Sequence, residues 1–248
     1  MRARAAALLL VAPLVLVACG GSKSGSKPTL TPLAAMQEAA KTTAGQTSEH
    51  MVLKGAVTVS GQAVTVTGDG DFQSRTGSLH LDFNAAGLTG GIDAVLQGTD
   101  LYLKSPLFAD ALAKGKSWLK LDLAKAAKAH GIDLSTLAAQ DPAQTLAQLG
   151  RLTKVTEVGS EQVGGTDATH YRGRLAKSAT SPGGLYDVWV GKDDGYVHRV
   201  QYSSVLGPKQ RLDVTMDLSD FGKDVTIKIP SAAETADATN LNVPGLGG

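Results

Sequence analysis

The sequence has few of the residues that cross-link a chain or fill a core with large rings. Among its 248 residues there is one cysteine, Cys19, which excludes a disulfide within the chain. Aromatic residues make up only 4% of the sequence. The apolar content is nevertheless 42%, which is enough for a hydrophobic core in one large domain or two small ones.

The chain also has no excess of charge of either sign. Its net charge is +1, and Arg2 and Arg4 belong to an N-terminal segment that we expect to be removed. The remaining chain then carries 22 basic and 23 acidic residues. Because no lysine- and arginine-rich stretch could follow a phosphate backbone, the sequence predicts no nucleic-acid partner.

Motifs of catalysis and metal binding are missing as well. The five histidines do not cluster, and there is neither an HExxH motif nor a Cys/His pair with zinc-ligand spacing. No G-x-S-x-G motif of a hydrolase occurs. Ser117 and Lys120 match S-x-x-K, but on a strand residues three apart face opposite sides. We therefore predict that the protein is not an enzyme and has no metal or cofactor.

No apolar run near the N-terminus is long enough to cross a bilayer, which takes about 20 residues. Residues 1–18 have the pattern of a secretory signal, with two arginines followed by the apolar run Ala5–Val17. Leu16–Cys19 then matches the bacterial lipobox, in which the cysteine sulfur receives a diacylglyceryl group. The alternative is a leftover thiol behind an ordinary signal peptide. We predict lipidation of Cys19 and a flexible tether over residues 19–30, rich in Gly, Ser and Lys.

Alternation of apolar and polar residues dominates the sequence from Met51 to Leu103. Such alternation is typical of an antiparallel sheet with one apolar and one polar face. The pattern returns in Tyr196–Ser204 and Leu212–Leu218. Val225–Ile229 is expected to add a short strand. His80 lies between two apolar positions and is therefore expected on the polar face.

Helices are predicted at the start and in the middle of the chain. The first begins after Thr31 as N-cap, with Pro32 at the first helical position. Pro106–Ala113 is expected to form a short helical turn. Alanine- and leucine-rich helices are expected at Ala124–His130, Leu134–Ala139 and Pro142–Leu149. Residues 31–230 thus form one α+β domain, and residues 231–248 a flexible tail.

The sequence predicts five or six strands before the middle helices and five or six after them. A sheet of that many antiparallel strands must curl or split into two sheets. A strongly curved antiparallel sheet, or half-barrel, with helices on its concave face satisfies the pattern. The candidate residues of a binding face are the apolar residues of one parity. They are Met51, Leu53, Val57, Val59, Val64, Val66, Phe72, Leu79, Leu81, Phe83, Leu88, Ile92, Leu96, Val200, Tyr202, Leu212, Val214 and Met216.

Small residues on the same face suggest a cavity. Gly55, Gly68, Gly70, Gly90 and Ala94 would leave room that large side chains fill. The alternative is that the glycines relieve bends and bulges beneath packed helices. The residue pattern alone leaves both interpretations open.

Several short motifs in a fixed order resemble one known family. They follow the lipobox, the tether and the first helix. The motifs are Ser117–Leu121, Thr169–Tyr171, Val188–Val190, His198–Val200, Leu218–Gly222 and Val225–Ile227 with Pro230. Together they resemble the LppX/LprAFG-type (LprG-like) lipoproteins of mycobacteria and related actinobacteria, over nearly all of the mature chain.

This resemblance implies a half-barrel similar in architecture to the LolA and LolB carriers, enclosing a hydrophobic cavity. It implies a protein anchored on the outer face of the cell membrane, in the periplasm-like envelope space. There it would bind acylated lipids or glycolipids and shuttle or present them, with an envelope lipid transporter as a further candidate partner. The alternative is an envelope interaction module with a fully packed core, which an exposed apolar patch on the polar face would favour.

Overall fold

The computed structural model describes residues 30–59, 62–85, 88–125, 142–178 and 183–238. Two α-helices lie wholly within these ranges, α1 (Pro32–Ala44) and α2 (Pro142–Leu149), together with a 3-10 helix at Pro106–Ala111, and residues 123–125 are also helical. The strands, in chain order, are β1 (Ser48–Val59), β2 (Gln62–Gln73), β3 (Thr76–Ala85), β4 (Leu88–Gln97), β5 (Asp100–Lys104), β6 (Trp118–Asp122), β7 (Thr153–Val163), β8 (Thr166–Leu175), β9 (Gly184–Gly191), β10 (Val197–Gly207), β11 (Gln210–Ser219) and β12 (Thr235–Asp237).

All twelve of these strands form one long, open, curved sheet, in the order β12-β6-β5-β4-β3-β2-β1-β11-β10-β9-β8-β7. Neighbouring strands are antiparallel except β12 and β6, which are parallel. The sheet is built from two meanders, β1–β6 and β7–β11. They join where β1 pairs with β11, with Met51 opposite Leu218 and Val57 opposite Leu212.

Helix α1 begins and ends as its sequence predicts. The Thr31 hydroxyl accepts a hydrogen bond from the Ala34 N–H (3.3 Å), and Pro32 occupies the first turn, where a missing N–H costs nothing. Its buried residues, Met36, Ala39, Ala40 and Thr43, recur at helical spacing and form one face. That face packs against the sheet and α2.

The main hydrophobic cluster lies under these two helices and not under the whole sheet. Its buried members come from α1, the segment from α2 to Leu152, β1 and β8–β11. They are Met36, Ala39, Ala40, Met51, Leu146, Leu149, Leu152, Tyr171, Tyr186, Val188, Val197, Val200, Met216 and Leu218. The helices therefore cover the C-terminal meander and the first part of β1.

The buried hydroxyl of Thr43 links α1 to the sheet. It donates to the Ala39 carbonyl (2.7 Å) and accepts from the Val197 N–H (2.8 Å), where β10 begins. Thr43→Val keeps the side-chain shape but leaves that buried N–H without its acceptor. We expect the free energy of unfolding to fall by about 1–3 kcal/mol, measured by urea denaturation. Thr42→Val, at the partly exposed neighbouring residue, is the control. Equal losses in both variants would contradict this role.

Two sequence predictions near the C-terminus were wrong. Val225–Ile229 forms no strand, and the segment from Ser231, expected to be flexible, instead contains β12. The β12 segment is held by hydrogen bonds from the Trp118 N–H to the Glu234 carbonyl (3.0 Å) and from the Ala238 N–H to the Lys120 carbonyl (2.8 Å). A short polar strand in this position covers an edge of β6 that would otherwise expose unpaired backbone groups.

Other predictions about the helices have mixed outcomes. Pro142–Leu149 is confirmed as α2, and the short turn after Ser105 is confirmed as the 3-10 helix. The helices expected at Ala124–His130 and Leu134–Ala139 lie outside the described residues, apart from Ala124 and Lys125. Within the described ranges, no helix combines the length and hydropathy needed to span a bilayer.

Candidate functional site

The strand register places the predicted apolar residues on one face of the sheet. Residues directly opposite each other on neighbouring strands point to the same side. One such row crosses four strand boundaries, from Met216 through Leu53, Gly68 and Leu81 to Ile92. The other predicted residues follow the same parity, and the backbones of Val59 and Leu88 occupy matching register positions. Whether this face holds a ligand remains a prediction.

One part of this face, the packed half, is filled by the protein itself. Met51, Val200 and Met216 are buried in the cluster beneath α1 and α2. Leu53, Phe72, Leu79 and Tyr202 pack at its margin and are only partly buried. These residues line the core here, so the room for a ligand must lie elsewhere on the face.

The surroundings of the Tyr186 side chain show that water is largely excluded from the packed half. Its ring packs against Tyr202, with 4.7 Å between ring centroids, and its hydroxyl lies 3.4 Å from the Gln148 Oε1. Burial raises the pKa of the Tyr186 hydroxyl to about 12, because the phenolate form would lose its hydration.

The rest of the face, the open half, has no such cover among the described residues. Leu119 of β6, opposite Leu103, is buried, but the other apolar side chains are only partly buried although they lie side by side in neighbouring strands. The members of the open half are Val57, Val64, Val66, Leu81, Phe83, Ile92, Leu96, Leu101, Leu103 and Leu121. Leu212 and Val214 of β11 are also partly exposed and lie next to it.

The last three members of the open half were not among the predicted binding residues. Leu101 pairs with Leu96 and with Leu121, and Leu103 pairs with Ala94, so all three continue the apolar face across β5 and β6. In Ser117–Leu123, leucines alternate with other residues, which places Leu121 on the same side of its strand as Leu119 and Leu123. The alternation does not show which strand pairs with this one, and the register of the sheet is needed for that.

The glycines of this face do not leave empty volume. A Cβ at Gly68 would lie 2.8 Å from a methyl group of Leu81, and one at Gly90 would lie 2.6 Å from the Phe83 ring. The side chains of Leu81 and Phe83 thus fill the space above Gly68 and Gly90. Gly55 is different, since its nearest atoms would be at 3.9 Å. Of the two interpretations that the residue pattern left open, these contacts at Gly68 and Gly90 do not fit the one in which small residues leave room for a ligand.

The opposite face of the sheet is polar, and His80 lies on it as predicted. The His80 Nδ1 is 2.6 Å from Asp93 Oδ1, and its Nε2 is 3.4 Å from Asp82 Oδ1. The hydrogen bond with Asp93 raises the pKa of the His80 imidazole, against a smaller opposing effect of burial. The contacts hold an exposed imidazole between Asp82 of the same strand and Asp93 of the neighbouring strand β4.

The other histidines of this face are held in the same way. The His50 Nδ1 is 2.9 Å from Asp71 Oδ1, and the His170 Nε2 is 2.6 Å from Asp187 Oδ1. In the part of the chain that the structure describes, no group of three or more His, Cys, Asp or Glu residues could hold a metal ion. These pairs form cross-strand contacts on a solvated surface.

A cleft of about 670 Å³ also lies on the polar side. It is lined by residues of β3–β5, including His80, Asp93 and Lys104, and by the segment from Ser105 to Ser117. Its lining combines charged side chains with apolar residues such as Pro106 and Leu112, and it lies on the face opposite the predicted apolar residues. The apolar open half therefore remains the candidate binding surface.

Comparison with known proteins bears on the fold. Neither the known protein-family models nor the curated protein sequences contain a match to this chain. Among solved structures, the chain is similar to lipoprotein LppX of Mycobacterium tuberculosis, with 15% identity, coverage of 79% of this chain and 98% of that one, and a TM-score of 0.53. It is also similar to LprF of Mycobacterium bovis, with 14% identity, coverage of 81% and 97%, and a TM-score of 0.52. The predicted fold, a curved antiparallel sheet with helices on one face, is confirmed as the fold shared with LppX and LprF.

Proposed function

We propose that this protein is a membrane-anchored lipid-binding protein of the LppX/LprAFG type. It holds the acyl chains of a lipid or glycolipid against the open half of the sheet and shuttles or presents that lipid in the cell envelope. The observation that carries this proposal is the open half itself. This apolar face continues across six strands and stays partly exposed. Its contact with water has an unfavourable free energy unless another apolar surface covers it.

The shape of the open half suits acyl chains. Strands of about ten residues are roughly 33 Å long, and neighbouring strands are about 4.8 Å apart. Such a surface contacts a chain along its length without the need for a directional polar group. Because transfer of apolar area from water stabilises by about 25 cal/mol per Å², binding depends on contact area. The proposed function therefore includes no catalytic step.

Lipidation of Cys19 would keep this surface near a membrane. The tether of residues 19–30 can extend to at most about 40 Å, at 3.3–3.6 Å per residue. Two acyl chains on one cysteine hold a protein firmly, whereas one gives only marginal attachment. The proposed location is the outer face of the cell membrane, and the proposed partners are a lipid ligand and an envelope lipid transporter.

The packed half supports a second candidate, an interaction module that carries no lipid. There the core is closed by the protein's own side chains, with Met36, Leu146 and Leu149 almost wholly buried. In this case the open half would be covered by a partner protein. Lipid content of the purified protein separates the two candidates.

A charge placed in the open half tests the carrier proposal. Ile92 lies on this face between Leu81 and the end of β5. We expect Ile92→Glu to lower the amount of co-purified lipid about tenfold or more, since a carboxylate is poorly tolerated against acyl chains. Lipid is measured by native mass spectrometry and by extraction. Thr89→Glu is the matched control, because Thr89 is on the same strand, exposed, and on the opposite face.

Three results decide the test. Lipid retained in Thr89→Glu and lost in Ile92→Glu, with both variants folded by circular dichroism, supports the carrier. Equal lipid in both variants places the ligand elsewhere. Wild-type protein without lipid after expression in an actinobacterial host favours the interaction module.

A further inference from the structure

The hairpin between β10 and β11 ends in a tip of exposed apolar residues. Val205 is 71% exposed and Leu206 is 43% exposed, and both precede the turn that leads into Gln210. They are neighbours in sequence, while Leu107 and Val158, also exposed, lie singly in the 3-10 helix and within β7. Single exposed leucines and valines are common, but an adjacent pair at the end of a long hairpin leaves a larger apolar area in water than either residue alone.

This tip lies at one defined end of the sheet. The turns between β1 and β2 and between β3 and β4 lie at the same end, because Val59 pairs with both Gln62 and Gln210 and because Val64 pairs with Ala85. The start of β7 lies toward this end as well. Thr153, the first residue of β7, is in register with Ser203 of β10, through the paired residues Arg174 and Leu185 of the two strands between them.

Helix α1 points its N-terminus toward this end. The Gln37 amide donates to the Gly150 carbonyl (3.1 Å), just before β7 begins, whereas Thr43 contacts Val197 at the opposite end of β10. The chain therefore enters the domain on the side of the hairpin tip. Leu30, the residue before the N-cap, is itself 55% exposed.

The charges at the two ends of the sheet differ. Near the tip lie the exposed cations Lys177, Lys209 and Arg211, of which Arg211 pairs with Asp213 (2.6 Å). At the opposite end the charges are mixed, because exposed Asp193 follows exposed Lys192 and Asp220 pairs with Lys223 (2.6 Å). Exposed lysines and arginines beside apolar residues favour the surface of an anionic membrane.

We infer that the tip residues Val205 and Leu206 insert into the outer leaflet of the membrane that carries the lipidated Cys19. This inference rests on the lipid anchor of the proposed function. The eleven steps along the backbone from Cys19 to Leu30 span at most about 40 Å, so the anchor and the tip can reach the same leaflet. The tether also gives the tip a millimolar effective concentration at the bilayer, so that a weak apolar contact is sufficient. The end of the sheet that carries the tip then faces the membrane, and the open half lies beside the lipid surface.

The single cysteine of the chain makes the test direct. In the lipidated protein the Cys19 sulfur is blocked, so Val205→Cys introduces one free thiol. A fluorescent label on it is compared, in vesicles of phosphatidylcholine and phosphatidylglycerol, with the same label in Val158→Cys, at an exposed valine within β7. With brominated acyl chains in the vesicles, we expect quenching at position 205 to be about fivefold stronger than at position 158, since interfacial side chains reach 5–10 Å into the bilayer.

The controls separate this inference from the proposed function. The mass of the N-terminal peptide reports the diacylglyceryl group, and lipid extraction reports the ligand. A lipidated protein whose labels at 205 and 158 are quenched equally overturns docking by the tip and leaves the carrier proposal standing. If the N-terminal peptide carries no diacylglyceryl group, the inference fails together with the anchor on which it rests, while lipid extraction still tests the ligand of the proposed function.

Discussion

Gly70→Ala is expected to destabilise the protein by about 3 kcal/mol or more. Gly70 lies in β2, opposite Met51 in β1 and Leu79 in β3. A Cβ there would overlap the Ser78 carbonyl oxygen and lie 2.8 Å from the Leu79 Cα. Because both atoms belong to the backbone of β3, no change of rotamer relieves the clash. The strands β2 and β3 must separate, and hydrogen bonds between them are lost.

The matched control for this variant is Gly55→Ala, on β1 and on the same face. A Cβ at Gly55 would meet its nearest neighbours at 3.9 Å and 4.0 Å, which is ordinary contact. Alanine there is expected to stabilise the protein by roughly 0.5 kcal/mol, because it reduces the conformational entropy of the unfolded chain. Chemical denaturation of both variants measures the difference. Equal stability of the two would show that β3 moves away from β2 at little cost.

The second large effect is expected from Cys19→Ser. If Cys19 carries a diacylglyceryl group, serine removes the whole anchor, and nearly all of the protein should pass from the membrane fraction to the soluble fraction. Each methylene withdrawn from water contributes about 0.8 kcal/mol, so two chains of sixteen carbons give on the order of 25 kcal/mol of attachment. The weak contact proposed for the hairpin tip cannot replace this amount.

Fractionation with immunodetection measures this change, and mass spectrometry of the N-terminus measures the modification itself. Ser22→Ala, in the same tether, is the control and is expected to leave the protein at the membrane. A Cys19→Ser protein that remains membrane-bound would contradict lipidation as the means of attachment.

The sequence predicts one face of the sheet well because strand side chains alternate with a strict period of two. In β1 to β4, a residue such as Leu53 or Leu81 is assigned to a face by parity alone, and pairing preserves that parity across the turns. The N-cap of α1 was equally accessible, since Thr31 followed by Pro32 is a local signal.

Features that depend on distant contacts could not be predicted in this way. Met51 and Ile92 have the same parity, yet Met51 is buried by a helix and Ile92 is partly exposed. The difference comes from where α1 and α2 pack, which no pattern within a strand reports. The space above Gly90 could not be decided from the pattern for a related reason, since the ring that occupies it belongs to Phe83 on the neighbouring strand. The β12 strand has no alternation to reveal it and depends on the free edge of β6.

The pairing of β1 with β11 also affects how this chain can reach its native state. When the N-terminus of the chain is synthesised first, β1 is available long before its partner strand β11. One edge of the first meander therefore stays unpaired, and its apolar face is uncovered. Contacts so far apart in sequence form slowly, because a long loop must close first. Until Leu218 pairs with Met51, the incomplete sheet is vulnerable to self-association, and a chaperone would have its greatest effect during that interval.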